Sequence, residues 1–370
     1  MERANVVIIG GGIVGLAIAA KLSENVEGVI VLEKNKRIGQ EVSSHNSGVI
    51  HSGIHYPKNS LKARLCVLGN GMLYEICKTN GIPYKKLGKL TVAIGESEIK
   101  EIERLRKQGE ENGVEGLSIL EEEEISKVEP NVVANRALLS PSTGIVEPDD
   151  LLNYFQARAT ANGASIALDT NVTGLRKEDS GYEVRGIGAG SRFSFQAESV
   201  INSAGLYSDR IAAMVGLDID RLEYRLHYCK GDYFRISGYR PVRHLVYPVP
   251  KGPGLGIHLT PDSSGSVKLG PNAYYVADID YRVSSKAEEF RADVMRFVPS
   301  LADKQILEDS SGIRPKLQGP NDSFKDFIIR EEGDLGFPGF IDLIGIESPG
   351  LTASPAIGEY VAEIYSKLRR

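Results

Sequence analysis

Three glycines near the start of the chain have the spacing of a phosphate-binding turn. Gly10, Gly12 and Gly15 follow an apolar run and precede a segment rich in alanine and leucine. The first glycine of such a pattern permits a tight turn, the second lets the backbone approach a pyrophosphate, and the third lets a helix pack closely on a strand. Glu33 ends the next apolar run, where its carboxylate can accept a hydrogen bond from a ribose hydroxyl. The pattern predicts a dinucleotide site and leaves FAD and NAD both open.

The elements that must position this site are a strand at 5–9, a helix at 16–22 and a second strand at 28–32. The short, β-branched run before the glycines is typical of a strand buried on both faces of a parallel sheet. A turn is predicted at 312–315. Short strands with aromatic residues, glycine and proline between 224 and 281 favour an antiparallel sheet. Further helices are predicted at 60–80, 96–112, 149–162, 286–297 and after residue 354.

Length and element order together predict two domains built from separated segments. The chain has 370 residues, more than one hydrophobic core usually serves. The predicted fold is α/β (α+β overall), with a Rossmann-like domain and a discontinuous second domain built on an antiparallel sheet. The dinucleotide domain is predicted at 1–80, 144–215 and 310–370, and the substrate-binding domain at 81–143 and 216–309.

Composition and charge exclude several other classes of protein. Lysine and arginine number 44 against 49 acidic residues, whereas a protein that follows nucleic-acid phosphates needs a basic excess or a dense basic stripe. The 3 cysteines are too few and too scattered for a disulfide framework or a metal site, which favours a cytoplasmic location and predicts no metal. No transmembrane segment is predicted. The basic tip at 367–370 leaves room for a peripheral contact with a membrane.

Six stretches of the sequence carry a resemblance to one enzyme family. They are SHNSGVIHSGIHY at 44–56, SLKARLC at 60–66, GKL at 88–90, STGIV at 142–146, GIRP at 312–315 and SPGLTAS at 348–354. With these stretches the chain resembles the L-2-hydroxyglutarate oxidase or dehydrogenase family. Relatives of that family include the glycerol-3-phosphate oxidases, within the D-amino-acid-oxidase-like FAD superfamily. The resemblance covers almost the whole chain and implies a Rossmann-like FAD-binding domain that holds FAD rather than NAD.

The resemblance also implies a set of cofactor-binding positions. These positions are Gly10, Gly12, Ile13, Val14, Gly15, Glu33, Lys34, Ser43, Ser44, Asn46, Ser47, Gly48, Val172, Ser203, Ala204, Gly205, Arg314, Gly350, Leu351 and Thr352. Val172 would meet the adenine through its backbone. A helix that starts after Gly350 would offer N–H groups to the flavin. In this superfamily, a cysteine that attaches FAD lies near the C-terminal motif. No cysteine follows Cys229, so the resemblance implies noncovalent FAD, and His45 is the one residue that leaves room for a covalent link.

Other residues are assigned to a small anionic substrate. By its place in the GxRP motif, Arg314 would bind the substrate carboxylate, and a guanidinium fork suits a planar carboxylate. Oxidation of an alcohol requires a base for the hydroxyl proton, and histidine titrates in the appropriate range. His51, in the NSGVIH motif, is the first choice, and His55 and His258 remain alternatives. Tyr247 and His258 come from the predicted substrate sheet and could hydrogen-bond the substrate.

The predicted reaction is the FAD-dependent oxidation of a 2-hydroxy acid, with L-2-hydroxyglutarate to 2-oxoglutarate as the best match. His51 would take the hydroxyl proton while a hydride passes from C2 to flavin N5. Oxygen, a quinone or another carrier would accept the electrons afterwards. One alternative is a glycerol-3-phosphate oxidase or dehydrogenase, which shares the motifs. A D-amino-acid or secondary-amine oxidase would need no base such as His51, and a flavin-binding protein without turnover is the least favoured alternative.

Overall fold

The structure is a computed structural model that describes residues 3–236, 238–250, 254–262 and 266–369. The helices are α1 (Ile13–Leu22), α2 (Leu61–Asn80), α3 (Glu96–Glu111), α4 (Glu122–Val128), α5 (Pro148–Ala161), α6 (Ser208–Val215), α7 (Ala287–Met295) and α8 (Gly350–Leu368). The strands are β1 (Arg3–Ile9), β2 (Val29–Leu32), β3 (Val49–Ile50), β4 (Tyr84–Lys85), β5 (Lys89–Ala93), β6 (Ser118–Glu121), β7 (Arg136–Ser140), β8 (Gly144–Val146), β9 (Ser165–Ala167), β10 (Thr170–Glu178), β11 (Gly181–Gly188), β12 (Ser191–Asn202), β13 (His227–Ile236), β14 (Leu245–Pro248), β15 (Leu259–Pro261), β16 (Val267–Leu269), β17 (Tyr274–Val276), β18 (Ile306–Lys316), β19 (Ile328–Glu332) and β20 (Phe337–Ile344).

The chain forms two compact units, and each is built from separated segments. Unit 1 comprises Met1–Ser44, Pro148–His227 and Arg314–Arg370. Unit 2 comprises His45–Glu147 and Tyr228–Ile313. The chain therefore enters each unit more than once, as a discontinuous domain arrangement requires.

Residues 45–80 lie in unit 2, whereas the sequence-based boundaries placed them in the dinucleotide domain. The contacts that hold this segment are local to unit 2. Strand β3 pairs with β8. On α2, the side chains of Asn70 and Tyr74 both donate to the carbonyl of Ser142, at 2.9 and 3.0 Å. These bonds tie the segment to the chain just before β8.

Unit 1 is organised around an eight-stranded sheet in the order β10-β11-β12-β1-β2-β9, in which β20 pairs with β12 and with β19. Strand β1 lies between β12 and β2 and is parallel to both. Val6, Val7 and Ile8 in β1 are fully buried, because a central strand of this kind is covered on both faces. The predicted βαβ unit is confirmed, and the glycine fingerprint follows the carboxyl end of β1.

Helix α1 belongs to unit 1, and most of its residues are buried there. Its apolar residues Ile13, Leu16 and Ile18 are all buried. A Cβ at Gly358 on α8 would lie 2.9 Å from the carbonyl oxygen of Ala17 on α1. The backbones of these two helices therefore approach each other directly, and a larger residue at position 358 would push them apart.

Unit 2 contains a nine-stranded sheet in the order β17-β13-β16-β15-β14-β5-β7-β6, with β18 paired to β13. Strands β5 and β14 run parallel, and the other neighbours in this order are antiparallel. One face packs on a core that includes Leu90, Val246 and Phe290. Because side chains alternate along a strand, Lys89 and Thr91 point to the opposite face. The sheet thus has one apolar face and one face that carries polar groups.

The predicted turn at 312–315 is wrong, because these residues lie within β18. A Cβ at Gly312 would come within 2.4 Å of the carbonyl oxygen of His45. Glycine at this position therefore permits a close approach of extended backbone, and it was mistaken for a turn residue. Arg314 follows two positions later in the same strand.

Helix α8 begins at Gly350, earlier than the sequence predicted, and it includes Pro355. A proline has no N–H to donate to the carbonyl four residues earlier, which here belongs to Leu351. The hydroxyl of Ser354 donates to that carbonyl at 2.9 Å. The helix can therefore start before the proline at little cost.

Helix α2, the longest helix of the described residues, has a side-chain cap at its start and a glycine at its end. Helix α2 begins after Ser60, whose hydroxyl accepts a hydrogen bond from the N–H of Ala63 at 3.1 Å, and it ends at Gly81 with a left-handed φ of 68°.

Within the ranges described, no helix has both the length and the apolar character to cross a membrane. In the basic tip, Arg369 is paired with Glu198 at 2.6 Å, and Arg370 lies outside the described residues.

Candidate active site

The glycine fingerprint lies where β1 ends and α1 begins. Gly10 has a left-handed φ of 113°, and a Cβ there would come within 2.4 Å of the carbonyl oxygen of Ser203. A Cβ at Gly15 would lie 2.0 Å from the carbonyl oxygen of Gly10. Both positions therefore exclude a side chain, because backbone segments meet closely at this turn.

The start of α1 offers donors of the kind that a pyrophosphate requires. Gly12 is the N-cap residue, and no side chain covers the first turn from this position. The N–H of Ile13 donates to the hydroxyl of Ser43 at 2.9 Å. Because the first N–H groups of a helix lack partners in the helix and carry partial positive charge, they attract phosphate. Gly12, Ile13, Val14 and Ser43 are thus brought together at one end of α1.

Glu33 is a buried carboxylate that follows β2, and only 6% of it is exposed. Its Oε2 accepts a hydrogen bond from the N–H of Gly11 at 2.7 Å, and its Oε1 accepts one from the N–H of Asn35 at 2.8 Å. Each carboxylate oxygen can accept a second hydrogen bond. The carboxylate is therefore fixed beside the glycine turn and keeps the capacity to bind a ribose hydroxyl. Lys34, the next residue, is paired with Glu41 at 2.7 Å.

Further predicted cofactor residues of unit 1 lie at the ends of elements. The Ser203 hydroxyl donates to the carbonyl of Gly10 at 3.3 Å. Gly205 has a left-handed φ of 56° and open space where a Cβ would stand. Gly350, Leu351 and Thr352 form the first turn of α8, and Ala204 precedes Gly205. Ser44 ends the first segment of the unit. Val172 is a buried residue of β10. The glycine cradle, the helix start and the fixed carboxylate fit an FAD dinucleotide.

The loop before β3 belongs to unit 2 and holds Asn46, Ser47 and Gly48. The side chain of Asn46 accepts a hydrogen bond from the N–H of Gly48 at 2.8 Å. The carbonyl of Gly48 accepts one from the N–H of Val146 at 2.8 Å. The ring centroid of His45 lies 4.1 Å from that of Tyr281. The backbone of this loop is therefore fixed inside unit 2.

His51 follows β3 directly, and its backbone is held by α2. Its carbonyl accepts a hydrogen bond from the side chain of Asn70 at 2.9 Å, and the thiol of Cys66 lies 3.5 Å from the same oxygen. Asn70 also binds Ser142, as described for the fold. The residue as a whole is partly exposed. A fixed backbone in a partly exposed residue suits a role on a bound molecule.

A buried group of polar side chains lies on the second face of the unit 2 sheet. Lys89 Nζ lies 2.9 Å from Nε2 of His55 and 4.9 Å from the ring centroid of Tyr247. The rings of Tyr247 and His258 stack at 3.7 Å, and His258 Nδ1 lies 2.8 Å from the carbonyl of Gly256. The structure therefore brings three of the predicted substrate residues together around one lysine.

Burial and mutual repulsion set the protonation states in this group. Burial lowers the pKa of Lys89 from its ordinary range to about 7. Burial, followed by the charge of Lys89, lowers the pKa of His55 well below its ordinary value. The charges of His51 and His258 act in the same direction on His55. The group is therefore kept at low positive charge, with His55 as a neutral imidazole.

Arg314 is partly buried and is the first residue of the last segment of unit 1. It lies near the end of β18, and Lys316 follows on the same face of that strand. Lys316 is itself paired with Glu347 at 3.2 Å. The positive charge of Lys316 is therefore balanced by a carboxylate of the protein itself.

Lys89 is the one residue of this arrangement that the sequence analysis did not assign a role. Lys89 belongs to the GKL stretch, which contributes to the family resemblance but predicts no role for the lysine itself. The available signal was a lysine inside a run of apolar residues predicted to form a buried strand, since lysine is almost never fully buried without a partner.

Comparisons with known proteins agree with this geometry. Residues 5–364 match the family model described as FAD dependent oxidoreductase. The chain is 39% identical to the L-2-hydroxyglutarate dehydrogenase, mitochondrial, of Arabidopsis thaliana, over 98% of this chain and 83% of that protein. It is 31% identical to a glycerol 3-phosphate dehydrogenase of Caloramator mitchellensis, over 99% of this chain and 74% of that protein.

A solved structure extends the similarity to the whole fold. It is the dithionite-reduced L-alpha-glycerophosphate oxidase of Mycoplasma pneumoniae with FAD bound, which superimposes with a TM-score of 0.87 at 29% identity and covers 99% of this chain and 95% of that one. The glycine cradle and the fixed Glu33 carboxylate are thus found in a chain whose structural neighbour holds the expected cofactor. The chain belongs to the FAD-dependent oxidoreductase family and is an enzyme that uses FAD.

Proposed function

We propose that this enzyme oxidises a small 2-hydroxy acid to the 2-oxo acid, with L-2-hydroxyglutarate as its substrate. The observation that carries the proposal is the identity of 39% with an L-2-hydroxyglutarate dehydrogenase over 98% of this chain. The side chains support it as well. Arg314 suits a carboxylate, and the polar face of unit 2 offers histidines that can accept the proton of an alcohol.

FAD held at the start of α1 and by Glu33 would supply a two-electron acceptor for a hydride from C2 of the substrate. In the proposed roles, Arg314 holds the C1 carboxylate through two parallel N–H donors. His51 accepts the C2 hydroxyl proton on its imidazole, so C2 can lose a hydride as the carbon–oxygen double bond forms. Tyr247 and His258 orient the remaining polar groups of the substrate. Their fixed, stacked rings lower the entropy lost when the substrate is bound.

An anaerobic titration tests the substrate class. The purified holoenzyme is mixed separately with L-2-hydroxyglutarate, D-2-hydroxyglutarate, glycerol 3-phosphate and a D-amino acid, and the absorbance of the bound flavin is followed. Bleaching by L-2-hydroxyglutarate, with formation of one 2-oxo acid per flavin, is the expected result. Bleaching by the amino acid alone would instead make the enzyme an amine oxidase, and no bleaching by any of the four would reject the proposal.

Glycerol 3-phosphate is the second candidate substrate. The 31% identity with a glycerol 3-phosphate dehydrogenase and the fold shared with an L-alpha-glycerophosphate oxidase favour it. A guanidinium binds phosphate as readily as carboxylate, so Arg314 serves either substrate. The same titration separates the two, because only one of these compounds should bleach the flavin at low concentration.

Arg314→Lys is expected to raise the KM for the 2-hydroxy acid by about 30-fold to 150-fold, because an ammonium cannot reproduce two parallel donors and the loss of a charge-assisted bond costs about 2–3 kcal/mol. Initial rates over a range of substrate concentrations measure the effect. The absorption spectrum of the bound FAD should stay unchanged. Equal inhibition of both proteins by a competing dicarboxylate would remove Arg314 from the substrate site.

We further propose that the FAD is held noncovalently in a cytoplasmic enzyme. The three cysteines, Cys66, Cys77 and Cys229, are buried and form no disulfide, which suits a reducing compartment, and none of them lies near the C-terminal motif at 348–354. Acid precipitation should release all of the yellow colour into the supernatant. Oxygen, a quinone analogue and a soluble carrier can then be compared as electron acceptors by the rate at which each restores the flavin absorbance.

A further inference from the structure

Lys89 is a buried lysine that has no counter-charge among the described residues. Its side chain lies in the middle of the unit 2 sheet, with 1% of the residue exposed. Buried ammonium groups are normally paired with a carboxylate, because an unpaired charge is costly to bury. In the described part of the chain, no carboxylate forms an ion pair with Lys89, and its hydrogen-bond partner is Nε2 of His55 at 2.9 Å.

The titratable and charged groups that face this pair come from several elements. They are Cys66 on α2, Arg104 on α3, Tyr247 on β14, His51 and His258. Burial raises the pKa of the Cys66 thiol, so it supplies no thiolate to balance the lysine. The surroundings therefore contain further bases and cations, and they do not neutralise Lys89.

The same face of the sheet carries buried polar atoms that the protein itself leaves unsatisfied. His55 Nδ1, Thr91 Oγ1 and Thr260 Oγ1 have no hydrogen-bond partner among the described residues. Thr91 stands two positions from Lys89 on β5, and both side chains point to the same face. Unsatisfied buried donors and acceptors are rare in folded proteins and mark places under functional constraint. A purely structural role would instead favour an apolar residue at position 89.

We propose that Lys89 is a positioning residue that acts through His55 and keeps His55 and the imidazoles next to it, those of His51 and His258, uncharged. Its ammonium donates to Nε2 of His55, which places the ring proton of His55 on Nδ1. The positive charge of the ammonium opposes protonation of the neighbouring imidazoles. A neutral imidazole is the form that can accept a hydroxyl proton, so the lysine maintains the basic form of the group.

The sign of the effect follows from the protonation states of the pair. Below about pH 7 the pair carries one positive charge, on Lys89, because the pKa of Lys89 is about 7 and that of His55 lies well below its ordinary value. Above this pH Lys89 is a neutral amine. Removal of the ammonium should therefore raise the pKa of His55, and the effect should be largest in neutral and mildly acidic solution.

Lys89→Met in the holoenzyme tests the proposal, with histidines labelled with ¹³C at Cε1 and followed by NMR against pH. Methionine keeps most of the methylene stem and removes a buried charge, so the fold should be retained. In the parent protein, His55 should remain neutral well below pH 6.5 and show a small shift near pH 7 as Lys89 titrates. In the variant this shift should vanish, and the pKa of His55 should rise by about one unit or more. The signal is assigned by its loss in His55→Gln.

Lys268→Met is the matched control. Lys268 also lies in this sheet, in β16, but its side chain is 29% exposed and is paired with Asp309 at 3.4 Å. This control should leave the titration of His55 unchanged. An unchanged pKa of His55 in Lys89→Met would overturn the proposal. If the variant fails to fold, the parent protein decides the matter, because a His55 signal that titrates at or above about pH 6.5, the ordinary value for histidine, would overturn the proposal.

A second readout links the lysine to the reaction and rests on the proposed function. The rate of anaerobic flavin reduction by the 2-hydroxy acid should rise with pH through an inflection in the parent enzyme, and the inflection should move to higher pH in Lys89→Met, with little change in KM. A lysine that only fills space would lower the rate at every pH without moving the inflection. Failure of the substrate to reduce the parent enzyme would reject the proposed function but leave the NMR result intact.

Discussion

His51→Ala is expected to slow the anaerobic reduction of the bound flavin by about a hundredfold or more, the usual size of the contribution of a general base. The expectation combines the proposed role of its imidazole with its place in the structure, directly after β3, where Asn70 fixes its carbonyl at 2.9 Å. The residue is partly exposed while its backbone is held. Stopped-flow absorbance measures the rate of reduction, and equilibrium dialysis of a substrate analogue should show little change in binding.

The pH profile and two comparison variants make this test specific. In the parent enzyme the rate of reduction should rise with pH as the neutral imidazole becomes available, and this inflection should be absent from His51→Ala. His227→Ala, at a histidine of unit 1 with no proposed role in the reaction, should retain both the rate and the inflection. A His51→Ala enzyme with the parental rate and profile would transfer the role to His55 or His258.

Gly15→Ala is expected to abolish the retention of FAD through purification. The added Cβ would stand 2.0 Å from the carbonyl oxygen of Gly10 and 2.6 Å from the hydroxyl of Ser203, where no carbon can be accommodated. Relief of this overlap requires α1 to move away from β1, and overpacking of this kind costs about 1–3 kcal/mol and occasionally more. The displaced helix start would no longer aim its N–H groups at the pyrophosphate. The ratio of flavin absorbance to protein absorbance measures the effect.

Gly71→Ala supplies a control with the same chemical change and the opposite expected sign. Gly71 lies on the exposed side of α2, and a Cβ there would meet no atom within 4 Å. Replacement of an exposed helical glycine by alanine should stabilise the protein by about 0.5–1 kcal/mol. Thermal unfolding of the two variants should therefore shift in opposite directions. Full FAD occupancy in Gly15→Ala would contradict the fingerprint assignment.

Features that depend on a few neighbouring residues were predictable from the sequence. The turn after β1 needs glycine at 10 because of the left-handed φ of 113° there, and at 15 because a Cβ would lie 2.0 Å from the carbonyl oxygen of Gly10. The carboxylate at Glu33 is set by the end of β2, and its bond to the N–H of Gly11 at 2.7 Å matches the expected position beside the turn. The α/β class and a dinucleotide site followed from these local requirements, whereas the choice of FAD over NAD followed from the family resemblance.

Features that depend on distant segments were not predictable in the same way. Gly312 was read as a turn residue, because the sequence does not show that the carbonyl of His45 passes 2.4 Å from the position of its Cβ. The role of Lys89 depends on β14, which pairs with β5, and on His55, which lies 34 residues earlier in the chain. Neither relation leaves a periodic pattern. The position of Lys89 inside an apolar strand was the only local sign of its role in the sequence.

The segmented construction of unit 1 has a consequence for biosynthesis. Arg3 at the start of β1 pairs with Gln196 in β12, and β12 pairs in turn with β20, close to the C-terminus. At ribosomal speeds of about 5–20 residues per second, about 10–40 seconds pass between the synthesis of β1 and that of its partner β12. During that time one edge of β1 lacks its partner β12, although β2 is already made, and unpaired edges of apolar strands are prone to aggregate. We therefore expect the nascent chain to depend on a chaperone that shields β1 until the middle segment of unit 1 has been made.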